Sequence, residues 1–171
     1  MRLFFAIDVP NQHKLAIHQW REAVYGSGFQ GVATRNLHIT LLFLGDVPMQ
    51  KVEGLIEQAN DIEFQPFEIK IDHHGFFSKA NIQWLGVAPC NRLLQLHKQC
   101  RKLSRRQHLA IASEGFIPHI SIHRQCETPP AAPPSPLKFS FEVTQFHLYQ
   151  SLRTNSGVHY QPIASFPHAQ R

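Results

Sequence analysis

Leu37-His38-Ile39-Thr40-Leu41 and Pro118-His119-Ile120-Ser121-Ile122 carry the same order of chemistry: an imidazole, an isoleucine, a hydroxyl and an aliphatic side chain. They stand 81 residues apart in a chain of 171, so each half holds one copy. On a strand, residues two apart share a face. His38 and Thr40 therefore face one way and Ile39 the other, and His119, Ser121 and Ile120 repeat the arrangement. A single His-x-Thr among 12 histidines carries little information. Two copies with matching flanks, half a chain apart, are hard to attribute to chance. If the halves pack about an approximate two-fold, both pairs converge on one cleft.

Around these stretches the chain alternates strands and helices. Arg2 to Val9 is a short apolar run closed by Pro10, a buried strand. Pro10-Asn11 opens a helix with Ile17, Trp20, Ala23 and Val24 on one face, ended by Gly26 and Gly28. Leu37 to Leu44 is a strand stopped by Gly45-Asp46, and a helix after Pro48 keeps Val52, Leu55, Ile56 and Ala59 inward. Phe67 to Ile71 and Ile82 to Ala88 read as two strands separated by Asp72 to Asn81. Asn91 to His108 is helical, with Leu93, Leu96, Cys100 and Leu103 inward. Phe116 to His123 and Phe139 to Gln150 complete the strands. Between those two lies Thr128-Pro129-Pro130-Ala131-Ala132-Pro133-Pro134-Ser135-Pro136, an extended loop, since proline lacks a ladder donor. The expectation is an α+β protein, residues 1–171 forming one two-lobed domain, more antiparallel than parallel.

Composition narrows the class. Hydrophobic residues make up 43% and charged ones 17%, enough for a real core. The apolar runs are too short to span a membrane. Cys90, Cys100 and Cys126 are odd in number and lack a Cys-x-x-Cys pair, which argues against a disulfide framework or structural zinc and points to a reducing cytoplasm. A net charge of +5 suits a polyanionic partner. Lys98, Arg101, Lys102 and Arg105 form a basic stripe on the third helix, with Arg106 adjoining; it reads as a solvated face or as a track for an RNA backbone.

Two imidazoles and two hydroxyls in one cleft suit phosphate-ester chemistry. One neutral imidazole accepts a proton from the attacking oxygen while one imidazolium donates to the leaving oxygen. The hydroxyls donate to the non-bridging oxygens as charge builds. Arg124 offers a permanent charge and a bidentate fork. A regular strand would point it away from His119, an odd five residues earlier, so it joins only through a twist, a bulge or the strand end. His119 and His123 share a face on a regular strand, but no carboxylate or cysteine stands at zinc-ligand spacing, so no metal is expected. No glycine-rich phosphate loop occurs, and Lys70-Ile71-Asp72-His73 lacks the glycine of a nucleotide-dependent ligase nucleophile.

Taken together, Arg2-Leu3-Phe4-Phe5-Ala6-Ile7, Asn36 to Gly45, Trp84-Leu85-Gly86, Pro118 to Arg124 and Leu148-Tyr149-Gln150-Ser151 make the chain resemble the two-histidine phosphoesterase superfamily, and within it the bacterial RNA 2′,3′-cyclic phosphodiesterases, long called 2′-5′ RNA ligases. The resemblance implies a pseudo-symmetric two-lobed fold with mainly antiparallel sheets lining a central cleft and helices outside. It implies no metal and no cofactor. It further implies that His38 is the proton donor to the leaving 3′ oxygen, that His119 activates water, and that Thr40, Ser121 and Arg124 hold the phosphate. Ser121 stands where close relatives often carry threonine; the hydroxyl survives. The implied partner is RNA with a 2′,3′-cyclic phosphate end, tRNA fragments and cyclic nucleotides among the candidates, with no membrane, and a monomer is expected. Phe5, Phe43 and Tyr149 are candidates to stack a base. Unperturbed imidazoles would give a bell-shaped pH profile with limbs at about 6 to 7. Reversible 2′-5′ bond formation, and non-catalytic binding of RNA ends, are the competing readings.

Overall fold

β1 (Arg2–Asp8) is apolar on both faces because it is covered on both. Leu3, Phe5 and Ile7 enter the main core, while Phe4 and Ala6 join a small separate cluster with Tyr149 on the opposite face. From there the computed structural model, which describes residues 1–112, 115–133 and 135–167, continues through α1 (Asn11–Tyr25), β2 (Gln30–Gly31), a 3-10 turn (Thr34–Asn36), β3 (His38–Asp46) and α2 (Met49–Asn60). β4 (Phe67–Phe77), β5 (Ile82–Val87), α3 (Asn91–Arg106), β6 (His119–Arg124), β7 (Phe139–Val143), β8 (Phe146–Thr154) and β9 (Gly157–Phe166) follow.

Among the described residues the strands form one sheet in the order β7-β4-β5-β6-β3-β1-β8-β9, with β2 on β6. Every pairing is antiparallel. This is the expected α+β class, and the two lobes are visible in the order. One half is β3-β1-β8-β9 and the other β6-β5-β4-β7, built around matching β1-α1-β3 and β5-α3-β6 units. They join at a single ladder pair, Ile39 with Ile120.

The helices cross between the halves. α1 leaves β1 yet stacks His13 on Phe139 of the far half at 4.6 Å. α3 leaves β5 yet reaches Leu41 of β3 through His97. Its inward stripe of Leu93, Leu96, Cys100 and Leu103 is as expected, with His97 and Ser104 added. For α1 the expected face needs correction: Ile17 is buried, but its companions are Lys14 and Arg21, and Ala23 is exposed. Lys14 is held there by Asp8 at 2.7 Å.

Several boundaries differ from the sequence pattern. β4 runs on to Phe77, because Gly75 and Gly86 give the Trp84 and His73 rings room to lie across the hairpin; a Cβ at either glycine would fall 2.2 Å and 2.1 Å from them. The expected strand Phe139 to Gln150 breaks after Val143, since β7 pairs with β4 and β8 with β1 on opposite flanks of the sheet. β9 escapes the pattern because it is an edge strand, half exposed, with Pro162 tolerated at a register shift. Phe116 lies before β6, stacked flat on His97 at 4.0 Å. The proline-rich segment is irregular as expected, and its Pro134 lies outside the described residues.

Candidate active site

Antiparallel register about the Ile39–Ile120 pair sets His38 opposite Ser121 and Thr40 opposite His119. All four side chains share one face, while Ile39 and Ile120 are wholly buried on the other. Each histidine is fixed the same way. His38 Nδ1–H donates to the carbonyl of Asn36 at 2.6 Å, and His119 Nδ1–H donates to that of Ile117 at 2.7 Å. A carbonyl can only accept, so Nδ1 carries the proton and Nε2 is left as the reactive atom. In the first half, the Thr40 hydroxyl donates to His38 Nε2 at 2.9 Å.

Arg124 reaches this face through a bulge. β5 pairs Trp84 with Ser121 but the adjacent Gln83 with His123, so Ile122 is an extra residue. The alternation flips there: Ile122 and His123 are both buried, and Arg124 emerges on the histidine side. β3 does the same at the same place. β1 pairs Phe5 with Leu42 but Ala6 with Thr40, so Leu41 is extra and Phe43 emerges. A bulge takes a carbonyl out of the ladder, and a buried carbonyl needs a donor. His97 from α3 supplies it to Leu41 at 2.7 Å. The Ile122 carbonyl accepts the backbone N–H of Val32 at 2.9 Å, and Arg21 from α1 adds a second bond to it at 3.0 Å and one to the Val32 carbonyl at 2.8 Å, in a space left open by Gly31. Neither clamp was anticipated, and no signal in the sequence marks them.

Charge and burial act on these groups. Burial pushes His38 down to about 4, with the Asn36 bond working against it and the positive Arg124 and His119 adding to it. His119 is lowered as well, mainly by burial, with Arg124 contributing. His38 is ringed by Phe4 at 5.1 Å, Tyr160 at 5.1 Å and Tyr149 at 6.5 Å. His119 has Phe77 at 4.9 Å and Trp84 at 6.0 Å. The expectation of unperturbed imidazoles is therefore corrected: burial holds His38 neutral well below the usual histidine range. The arrangement presents two Nε2 atoms, two hydroxyls and a guanidinium that makes no bond to protein among the described residues.

A model of the 2′-5′ RNA ligase superfamily matches residues 9–155. The chain belongs to that superfamily. It is 33% identical to an RNA 2′,3′-cyclic phosphodiesterase of Escherichia coli K12, over 95% of this chain and 93% of that one. It is 31% identical to one of Archaeoglobus fulgidus, over 97% and 99%. The crystal structure of E. coli LigT complexed with 3′-AMP superposes with a TM-score of 0.91 at 32% identity, covering 96% of each chain.

In this member of the ligase superfamily the three aromatic candidates separate. Phe5 is wholly buried against Phe146 and Phe166 and cannot meet a base. Tyr149 is buried and stacked on Phe4 at 5.4 Å, so it is a wall beside His38. Phe43 is 64% exposed, with Phe4 at 5.8 Å beneath it. His123 is corrected too: the bulge turns it away from His119 into the core, where it donates to Gln83 at 2.7 Å. Among the described residues no three His, Cys, Asp or Glu side chains form a metal-ligand group. Lys98, Arg101, Lys102, Arg105 and Arg106 line an open groove on the outer side of α3, across the sheet from the histidines. No helix of the described residues is long and apolar enough to cross a membrane.

Proposed function

We propose that the chain is a phosphoric diester hydrolase that opens 2′,3′-cyclic phosphate ends of RNA to 2′-phosphates, working as one two-lobed, monomeric, cytoplasmic domain. The observation that carries this reading is the duplicated histidine: two Nε2 atoms of fixed tautomer on one face, each backed by a backbone carbonyl. His119 Nε2 takes a proton from water as the water oxygen bonds to phosphorus. The bond from phosphorus to the 3′ oxygen breaks, and His38 Nε2–H gives that oxygen its proton. Thr40, Ser121 and Arg124 donate to the non-bridging oxygens as charge builds.

The donor role asks for a proton that burial takes from His38. A phosphodiester anion beside it favours the imidazolium, so the proton is taken up with the substrate. The Thr40 hydroxyl, released from Nε2, then turns to the phosphate. Chemistry of this kind needs no Lewis acid. An oligonucleotide ending in a 2′,3′-cyclic phosphate, incubated with the protein in EDTA and followed by phosphorus NMR, tests the reading: a 2′-phosphate is expected. No turnover in EDTA, restored by one divalent cation, would refute it.

A further inference from the structure

His38, Ile39, Thr40, Leu41, Leu42 and Phe43 match His119, Ile120, Ser121, Ile122, His123 and Arg124 at a constant offset, with both bulges in register. Burial follows the same course along the two strands: half-buried, buried, half-buried, buried, buried, then open toward the site. Imidazole, hydroxyl and bulge are all present twice. Leu42 and His123 differ but are buried away from the site, so among the positions that face it the sixth is where the chemistry differs. Arg124 brings a guanidinium without a protein partner among the described residues, felt at both histidines, and Phe43 brings an exposed ring.

Such near-symmetry poses a problem for an asymmetric substrate. A cyclic phosphate joins two ribose oxygens, and either histidine has the equipment to be acid or base. Turned end for end between them, the substrate would lose its 2′ oxygen in place of its 3′ oxygen. Only a feature that breaks the two-fold can choose. We infer that Phe43 and Arg124 act as a pair that sets the direction of the substrate, and thereby which oxygen leaves. The register places them at opposite ends of the site, Phe43 beyond the Thr40–His119 level and Arg124 beyond the His38–Ser121 level. Arg124 draws the non-bridging oxygens to its end by charge, and Phe43 accepts a base face at the other by stacking, worth ~1–3 kcal/mol. That range is roughly a 5- to 150-fold preference, enough to fix one product.

This inference rests on the hydrolytic reading, and its test reads a product ratio, which exists only if cyclic phosphate is hydrolysed at all. A 2′,3′-cyclic mononucleotide would be run to completion with wild type, F43A and the exchange variant F43R/R124F, and the 2′- and 3′-phosphates resolved. Wild type should give one isomer, F43A at least about a tenth of the other, and the exchange variant a majority of the other. F43A removes an exposed ring and tests the idea even if the exchange variant does not fold. A single unchanged isomer from F43A and from any active exchange variant would overturn the pairing, whatever happens to KM. Absence of hydrolysis by wild type would instead remove the reading beneath it.

Discussion

The two halves of the sheet present one motif in two environments. Around β3, His38 is closed in by three rings, its Nε2 is occupied by the Thr40 hydroxyl, and burial drives it to about 4. Around β6, His119 has two rings beside it and no hydroxyl on Nε2, and the Ser121 hydroxyl has no protein partner among the described residues. The difference teaches that a repeated strand sets where the reactive atoms stand, while the packing of each half sets when each is charged. On the proposed reading, His38 gains its proton with the ligand, whereas His119 keeps a lone pair on Nε2 for the water.

The sharpest way to break the comparison is to remove either histidine. His38→Ala and His119→Ala should each lower kcat by roughly 10²–10⁴-fold with the fold intact, measured on an oligonucleotide with a cyclic phosphate end. The double variant should lose far less than the product of the two, because the groups act as a unit. Wild-type rates from either single variant would contradict the assignment.

A smaller effect belongs to the bulge clamps. Arg21→Met leaves the Val32 carbonyl bare, at about 1–3 kcal/mol, offset in part because it removes a buried charge that makes no salt bridge among the described residues and has only the field of Glu22 to favour it. We expect a lower melting temperature and a kcat loss of about tenfold as Arg124 loses its bearing. His97→Leu is the mirror test; by freeing the Leu41 carbonyl it should disturb Phe43, changing KM more than kcat. Equal changes from both clamps would argue against separate tasks for the two strand ends.

Acid stability comes next. His38 and His123 are each pushed to about 4 in the fold, whereas an unfolded histidine titrates at about 6.5. Between those values the unfolded chain binds more protons, so stability should be full above pH 6.5 and fall steadily toward pH 4. Urea midpoints at pH 7.5, 6 and 5 measure this, and His123→Gln should flatten the slope. The smallest change is Gly31→Ala, whose Cβ would stand 2.9 Å from the Arg21 guanidinium carbon; a loss near the low end of ~1–3 kcal/mol is expected from denaturant unfolding.

What the sequence made legible follows from short-range physics. The strand period puts His38 with Thr40 and His119 with Ser121, and the helix period finds α2 and α3. Register and bulges are products of pairing between distant strands, so Arg124 could be named only conditionally and Phe43 could not be told from Phe5 as a candidate to stack a base. Phe5 and Phe43 are alike in sequence; the half-turn at Leu41 decides that one is buried and the other open. Nothing in the sequence marks Arg21 or His97, since their partners are backbone carbonyls distant along the chain. The edge strand β9 has too little burial to leave a pattern.

The claim that one motif is tuned into two roles is tested most directly by NMR titration of the His38 and His119 imidazoles, with and without inorganic phosphate. The account predicts that His38 in the empty protein titrates at about 4 as a neutral Nδ1–H tautomer, and that phosphate moves it upward by at least about one unit. Phosphate should therefore bind more tightly as the pH falls from 7 to 5. A His38 that titrates at about 6.5 in the empty site and ignores phosphate would contradict it.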